Sequence, residues 1–139
     1  MGSEWVYRIP LMVFTKIKTD FSPTLKEKYN MSDVKNFSTV GSSDTPAVFP
    51  FVYIKLLPSS ERGRTFEREI NGGKFAFQIE VFDNQTQSRT RIVMTEVARI
   101  MNQMGFISDD FGTFEDTADI HRMISRFSRV IGVNDNILL

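Results

Sequence analysis

Few side chains in this sequence could support catalysis. His121 is the only histidine, so a metal site or motif built on two histidines is impossible. A serine triad would also have to use His121, but the G-x-S-x-G elbow that presents such a serine is absent. The sequence has no cysteine, which removes disulfides, thiol chemistry and thiolate zinc sites. We therefore predict that the protein is not an enzyme, that it uses no cofactor or metal, and that His121 is an ordinary strand residue.

The second candidate is an acidic stretch without any basic residue, which contains Asp109, Asp110, Glu115 and Asp116. It lacks the alternating ligand positions and the sixth-position glycine of a calcium loop. Two of its carboxylates could share acid–base work, or the stretch could present a contact surface to a basic partner. A solvated turn is the simplest interpretation, and the three alternatives stay open at this point.

The third candidate is a charged loop at 59–73, which is far longer than an ordinary hairpin turn. It carries both signs of charge, at Glu61, Arg62, Arg64, Glu67 and Arg68. Such a loop is either solvated or a docking arm, because mixed charges suit a neighbouring subunit better than a polyanion. Its closing Gly-Gly-Lys is followed by an apolar residue, so the phosphate-loop pattern fails.

Two helices and two strands must position these residues. Apolar residues at helical spacing predict a first helix that starts at Pro10, breaks at Pro23 and ends before Asn30. A second helix follows the turn at 83–86 and ends at Gly105. Its apolar stripe is Val93, Met94, Val97, Ile100, Met101 and Met104. Ile92 lies outside the stripe, and is either a lone exposed residue or part of a subunit contact.

The strands are predicted from a different pattern. Residues 49–57 are apolar on both alternating faces, which predicts a strand that is covered on both sides. Residues 74–82 alternate, which predicts a half-buried strand with Phe75, Phe77, Ile79 and Val81 inward. A turn-rich segment at 36–47 predicts a loop with room for one short strand. The segment at 120–131 fits a helix slightly better than a strand, and periodicity alone does not decide between them.

Length and charge limit the class of protein. The 139 residues suit a single domain, 1–139, with a core at about 8–132 and a flexible C-terminal tail at 133–139. Seventeen basic residues balance seventeen acidic ones, whereas proteins that bind polyanions by bulk charge usually have a basic excess. We find no targeting or membrane-spanning pattern, and we expect the protein to be cytosolic in origin.

The chain resembles the small tail terminator proteins of long-tailed bacteriophages and the minor capsid, or head–tail joining, proteins encoded beside them. The resemblance covers about residues 8–132. It lies in 49–58 (FPFVYIKLLP), 71–84 (NGGKFAFQIEVFDN), 87–89 (QSR), 93–97 (VMTEV) and 126–129 (RFSR). It implies an α+β fold with a mostly antiparallel sheet and two main helices packed on it. It also implies that about 105–114 and 119–131 are strands, against the helical spacing of the second segment.

The resemblance further implies a virion protein that forms a ring, usually six-fold, at the end of the tail tube. The ring halts tube polymerisation, presents a surface to the head–tail connector and lets DNA pass without reading its sequence. Its partners are then other copies of the chain, the tail tube protein and the connector, with no membrane. Subunit or tube contacts would fall on the charged loop residues and Ile92. The acidic residues Asp109, Asp110, Glu115 and Asp116 would face the lumen or a partner.

Two alternatives remain. A neck or head-completion protein would join tail to capsid without setting tail length. A small α+β ligand-binding or regulatory domain, from a different class of protein, would show the same composition and the same predicted elements.

Overall fold

The computed structural model describes residues 4–39, 48–58, 60–64, 70–108, 112–117 and 119–132. Three helices lie among them: α1 (Glu4–Asp20), α2 (Pro23–Tyr29) and α3 (Gln87–Gln103). The strands are β1 (Phe37–Ser38), β2 (Phe51–Leu56), β3 (Ser60–Arg64), β4 (Ile70–Asp83), β5 (Ile107–Ser108), β6 (Thr113–Phe114) and β7 (His121–Gly132). The predicted C-terminal tail at 133–139 lies outside the described residues.

The strands form one mixed sheet in the order β1-β2-β4-β7-β5, with β3 also paired to β4 and β6 to β7. Only the β1–β2 pair is parallel among the described pairs; the others are antiparallel. The prediction of an α+β fold with a mostly antiparallel sheet and two long helices is confirmed.

One face of the sheet and the helices enclose the core. The alternating residues of β4, from Phe75 to Val81, point inward as predicted and are buried. The predicted stripe of α3 is buried against them, and Ile9, Val13 and Ile17 of α1 join the same cluster. Gly105 follows the C-terminal end of α3 and has a φ of 81°, a conformation that glycine adopts without steric cost.

The C-terminal segment is the strand β7, as the resemblance implied. Met123, Ser125 and Phe127 are buried at alternate positions, and Phe77 of β4 pairs with Phe127. The predicted strand at 105–114 is present as two short strands, β5 and β6, each of which pairs with β7. The helical spacing of the apolar residues was therefore misleading, because β-sheet pairing along the whole strand outweighs local periodicity.

Three sequence predictions are wrong in detail. Helix α1 begins at Glu4, so Pro10 lies inside it. Proline at this position removes one hydrogen bond to a carbonyl in the first turns, and burial of the apolar face of α1 offsets that loss. Strand β2 is buried on one face only, at Val52 and Ile54, because its other side is open in the described part of the fold.

The third correction concerns the predicted loop at 59–73. Ser60–Arg64 pairs with the first residues of β4, so most of this segment is a strand pair and not an irregular loop. Charged residues are common on edge strands because they discourage pairing with another chain, and a strand rich in charges lacks the apolar alternation that reveals other strands. Residues 65–69 lie outside the described residues.

The corner between α1 and α2 is fastened to α3 by Glu96. Its carboxylate accepts hydrogen bonds from the backbone N–H of Ser22 (2.8 Å) and from the guanidinium of Arg99 (2.9 and 2.5 Å). Ser22 in turn caps α2 through the N–H of Leu25. The Arg99 hydrogen bonds, supported by the Ser22 N–H, hold the pKa of Glu96 below its ordinary value.

We predict that Glu96→Gln lowers the free energy of unfolding at pH 7 by about 1–2 kcal/mol, because charge-assisted hydrogen bonds are lost. A carboxylate with a lowered folded pKa stabilises the fold above its unfolded pKa and loses that contribution as the pH falls. The gap between variant and wild type should therefore close as the pH falls below about 4. Urea unfolding of both proteins between pH 3 and pH 7 measures this difference in the free energy of unfolding. Glu27→Gln, exposed on α2, is the control; a gap that is independent of pH would contradict the assignment.

Candidate functional site

Those residues predicted to make contacts that the structure describes lie on separate elements of the fold. Glu61, Arg62 and Arg64 lie on β3, and Ile92 is partly exposed on α3. Ile92 and Leu25 line an open groove of about 310 Å³ between α2 and α3. Outside the described residues lie Glu67, Arg68, Asp109 and Asp110.

The two described acidic candidates occupy the turn between β6 and β7. Glu115 Oε2 lies 2.6 Å from Arg122 Nη1, and Asp116 Oδ2 lies 3.0 Å from His121 Nδ1. Gln87 at the start of α3 also donates to Asp116. The hydrogen bond with His121, helped by the Arg122 N–H, holds the pKa of Asp116 below its ordinary value. Both carboxylates are exposed yet paired within the chain, and this pairing ties the turn to β7 and α3.

The sequence did not reveal that Glu80 is buried. Arg122 donates from Nε (2.9 Å) and Nη2 (2.5 Å) to one carboxylate oxygen, and Gln78 donates to the other (2.8 Å). The Arg122 guanidinium also lies over the ring of Phe82, at 5.6 Å from its centre. Arg122 therefore covers a carboxylate on the face of the sheet that is opposite the helices. Because Arg122 comes 42 residues later in the chain, no local pattern predicts the contact.

That opposite face, which we call the open face, combines aromatic and basic residues. Phe51, Tyr53 and Phe82 are half-buried there, and the Phe51 and Phe82 rings are 6.3 Å apart. Lys55 and Arg126 are exposed on the same face, on either side of Gln78 in the pairing register. No helix covers this face in the described part of the chain.

Several large apolar side chains are exposed in the described part of the chain, and at two places such residues are neighbours. On α1, Tyr7 is 81% and Leu11 67% exposed, one helical turn apart; we call this pair the α1 patch. At the edge of the open face, Ile107 of β5 is 72% and Val130 of β7 56% exposed. Ile107 pairs with Ser128, so Val130 is its diagonal neighbour on the same face; we call these two residues the edge patch.

The two patches point in different directions. Helix α1 packs with α3 on the inner face of the sheet, and the α1 patch faces away from that core. Phe127 and Ile131 of β7 point inward, so the alternating Ser128 and Val130 point to the open face. The sequence does not reveal these patches, because Tyr7 lies before the predicted start of the first helix and Ile107 lies in a two-residue strand.

No protein-family model matches this chain, and no curated protein matches it significantly in sequence. Among the described residues, no three histidine or acidic side chains are grouped so that they could hold a metal ion. None of the described helices is both long and apolar enough to span a membrane.

The contact between Glu80 and Arg122 leads to a test of the open face. Arg122→Gln should lower the free energy of unfolding by about 3 kcal/mol, because it leaves a buried carboxylate without its cation. The double variant Glu80→Gln/Arg122→Gln should recover part of this loss, since no charge is then buried. Arg126→Gln, on the same face but exposed, should change stability by about 0.5 kcal/mol or less. Urea unfolding of the four proteins measures these differences; equal losses in Arg122→Gln and Arg126→Gln would contradict this role for Arg122.

Proposed function

We propose that this protein is a tail terminator of a long-tailed bacteriophage, a virion protein whose ring caps the tail tube, stops its polymerisation and provides the surface for head attachment. The observation that carries the proposal is the pair of unlike apolar patches on different sides of one subunit. Isolated exposed apolar residues are common, whereas contiguous apolar patches mark interaction surfaces, and we take each pair of neighbours as part of such a patch.

Two unlike patches favour a ring over a simple dimer. A two-fold dimer is formed through one self-complementary surface, and two patches that point in different directions do not both lie in one such surface. When one patch of a subunit binds the other patch of its neighbour, every copy offers a further free site. Such head-to-tail contacts close into a ring if the rotation between neighbours divides a full turn. The α1 patch and the edge patch lie on different sides of one subunit, which supports such a contact.

The proposal assigns the predicted contact residues to the same contacts between subunits or with the tube. Strand β3, with Glu61, Arg62 and Arg64, pairs with β4 on one side, and its other edge has no partner among the described strands. Backbone groups at such an edge and charges of both signs can both engage a neighbouring subunit or the tube. The proposal places Glu67, Arg68 and Ile92 in the same contacts. It assigns Asp109, Asp110, Glu115 and Asp116 to the lumen or to a partner.

The terminator role is tested by removing the gene from the phage genome and imaging the lysate by negative-stain electron microscopy. Headless tails of excessive and scattered length are expected, because nothing stops the tube. Tails of normal length beside full, unattached heads would overturn the terminator role in favour of a neck or completion protein. Intact infectious particles would overturn both and favour the ligand-binding domain.

The ring contact is tested in the same phage by supplying variants from a plasmid. Leu11→Glu and Val130→Glu should each fail to restore normal tail length, because each places a charge in one half of the proposed contact. Val34→Glu, at a site that is 86% exposed and outside both patches, should restore it. Thermal unfolding confirms that all three variants fold. Normal tails with either patch variant would contradict the head-to-tail contact.

A further inference from the structure

Polar atoms without hydrogen-bond partners are buried where β4 leads into α3, at a place that contains neither apolar patch. Asp83, the last residue of β4, is fully buried. Its Oδ2 accepts hydrogen bonds from the backbone N–H groups of Gln85 (3.0 Å) and Thr86 (2.9 Å), just before α3. Its Oδ1 lies 3.5 Å from Arg89 Nε, and neither atom has a hydrogen-bond partner within the described structure. Buried polar atoms of this kind are rare and call for an explanation.

The Arg89 side chain is held in place by a charge and a ring, while its N–H groups donate no hydrogen bond within the described structure. Its side chain is largely buried, its guanidinium lies over the ring of Tyr29 at 4.8 Å, and Asp83 attracts it from the Nε side. Among the described residues, no acceptor makes a hydrogen bond to its Nη atoms. A guanidinium held in this way has lost most of its rotational freedom before any ligand arrives. Its Nη edge is the edge that pairs with a carboxylate through two parallel hydrogen bonds.

Arg89 lines an open groove of about 600 Å³ between the end of α2 and the start of α3. The lining residues are Glu27, Lys28, Tyr29, Asn30, Phe49, Gln85 and Arg89. Volumes of this size are typical of small-molecule sites. The lining contains two cationic side chains and one carboxylate. The side-chain amides of Asn30 and Gln85 can donate hydrogen bonds, and two aromatic rings provide apolar surface.

We propose that this groove binds the carboxylate of a small organic acid, with Arg89 as its principal partner. Lys28 adds a second positive charge, and Phe49 contacts the apolar body of the ligand. Asp83 is a positioning residue, since it holds the guanidinium and does not touch the ligand. The proposal does not depend on ring formation, because the groove belongs to a single subunit and contains neither patch.

The test is an NMR titration of the ¹⁵N-labelled chain at pH 7, with the Arg Nε–H region included. The probes are benzoate, acetate and phenyl phosphate, each against sodium chloride at equal ionic strength. Saturable shifts at Arg89 and at the side-chain amide of Gln85 are expected, with benzoate binding more tightly than acetate. Shifts that merely follow the chloride control would overturn the proposal. Tighter binding of phenyl phosphate than of benzoate would overturn the choice of a carboxylate.

Two exposed neighbours provide variants that leave Arg89 and Asp83 intact. Lys28→Gln should weaken benzoate binding about two- to fivefold, and Glu27→Gln should strengthen it by a similar factor, as expected for exposed charges near the ligand. Arg91→Gln, on α3 but outside the groove, should leave the affinity unchanged. Opposite effects from Lys28 and Glu27 distinguish a binding site from a purely structural pair. Affinities that are equal in all three variants would overturn the proposal.

The variant Arg89→Lys tests whether binding depends on the shape of the guanidinium or only on its positive charge. Lysine keeps the positive charge but lacks the planar pair of donors, so benzoate affinity should fall by about tenfold or more. The chemical shifts of the core methyl groups report whether the variant keeps its fold. If they are unchanged and the affinity is also unchanged, Arg89 does not bind the carboxylate. If the core shifts move, the Lys28 and Glu27 variants decide the question.

Discussion

The pairing of β4 with β7 is the constraint on which the remaining structure depends. The two strands run antiparallel in continuous register from the Gly72–Gly132 pair to the Asp83–His121 pair. This register fixes which residues of each strand face the helices and which face the open side. β2 and β3 attach to the free side of β4, and β5 and β6 to the free side of β7. A slip of one residue would therefore invert both faces at once.

The ends of this ladder fix the positions of residues in two surfaces for which we propose functions. At one end, Asp83 is buried and its carboxylate binds the N–H groups that precede α3, so the strand also sets where the helix begins. The turn with Glu115 and Asp116 returns beside the same end through Arg122 and His121. At the other end, Val130 is exposed beside Ile107 because Phe127 and Ile131 point inward. The edge patch and the buried position of Asp83 thus both follow from one register.

Features encoded by local sequence could be predicted, and those that depend on distant residues could not. The alternation of β4, the apolar stripe of α3 and the stop at Gly105 were all visible in the sequence and are confirmed. Strand β3 was missed because its charged residues carry no apolar alternation. Periodicity also misjudged the last segment, and only the family resemblance assigned it to a strand.

The candidate site was harder to predict than the fold. Burial of Glu80 depends on Arg122, and the two patches exist only once the helix and the strand edge are placed. Ile92 was singled out because it broke the pattern of its helix, and it is indeed partly exposed. Tyr7 carried no such signal, because α1 begins six residues before Pro10. Surface contacts are thus less evident in a single sequence than core contacts, since the core imposes a period and a surface patch does not.

The central claim is that copies of this chain assemble head to tail on the end of a tail tube. The most direct measurement adds the purified chain to polymerising tail tube protein encoded in the same genome and images the products by cryo-electron microscopy. The account predicts that tube growth stops and that each capped tube carries a ring of this chain at one end. Tubes that grow to the same length with bare ends, whether or not the chain is present, would contradict it.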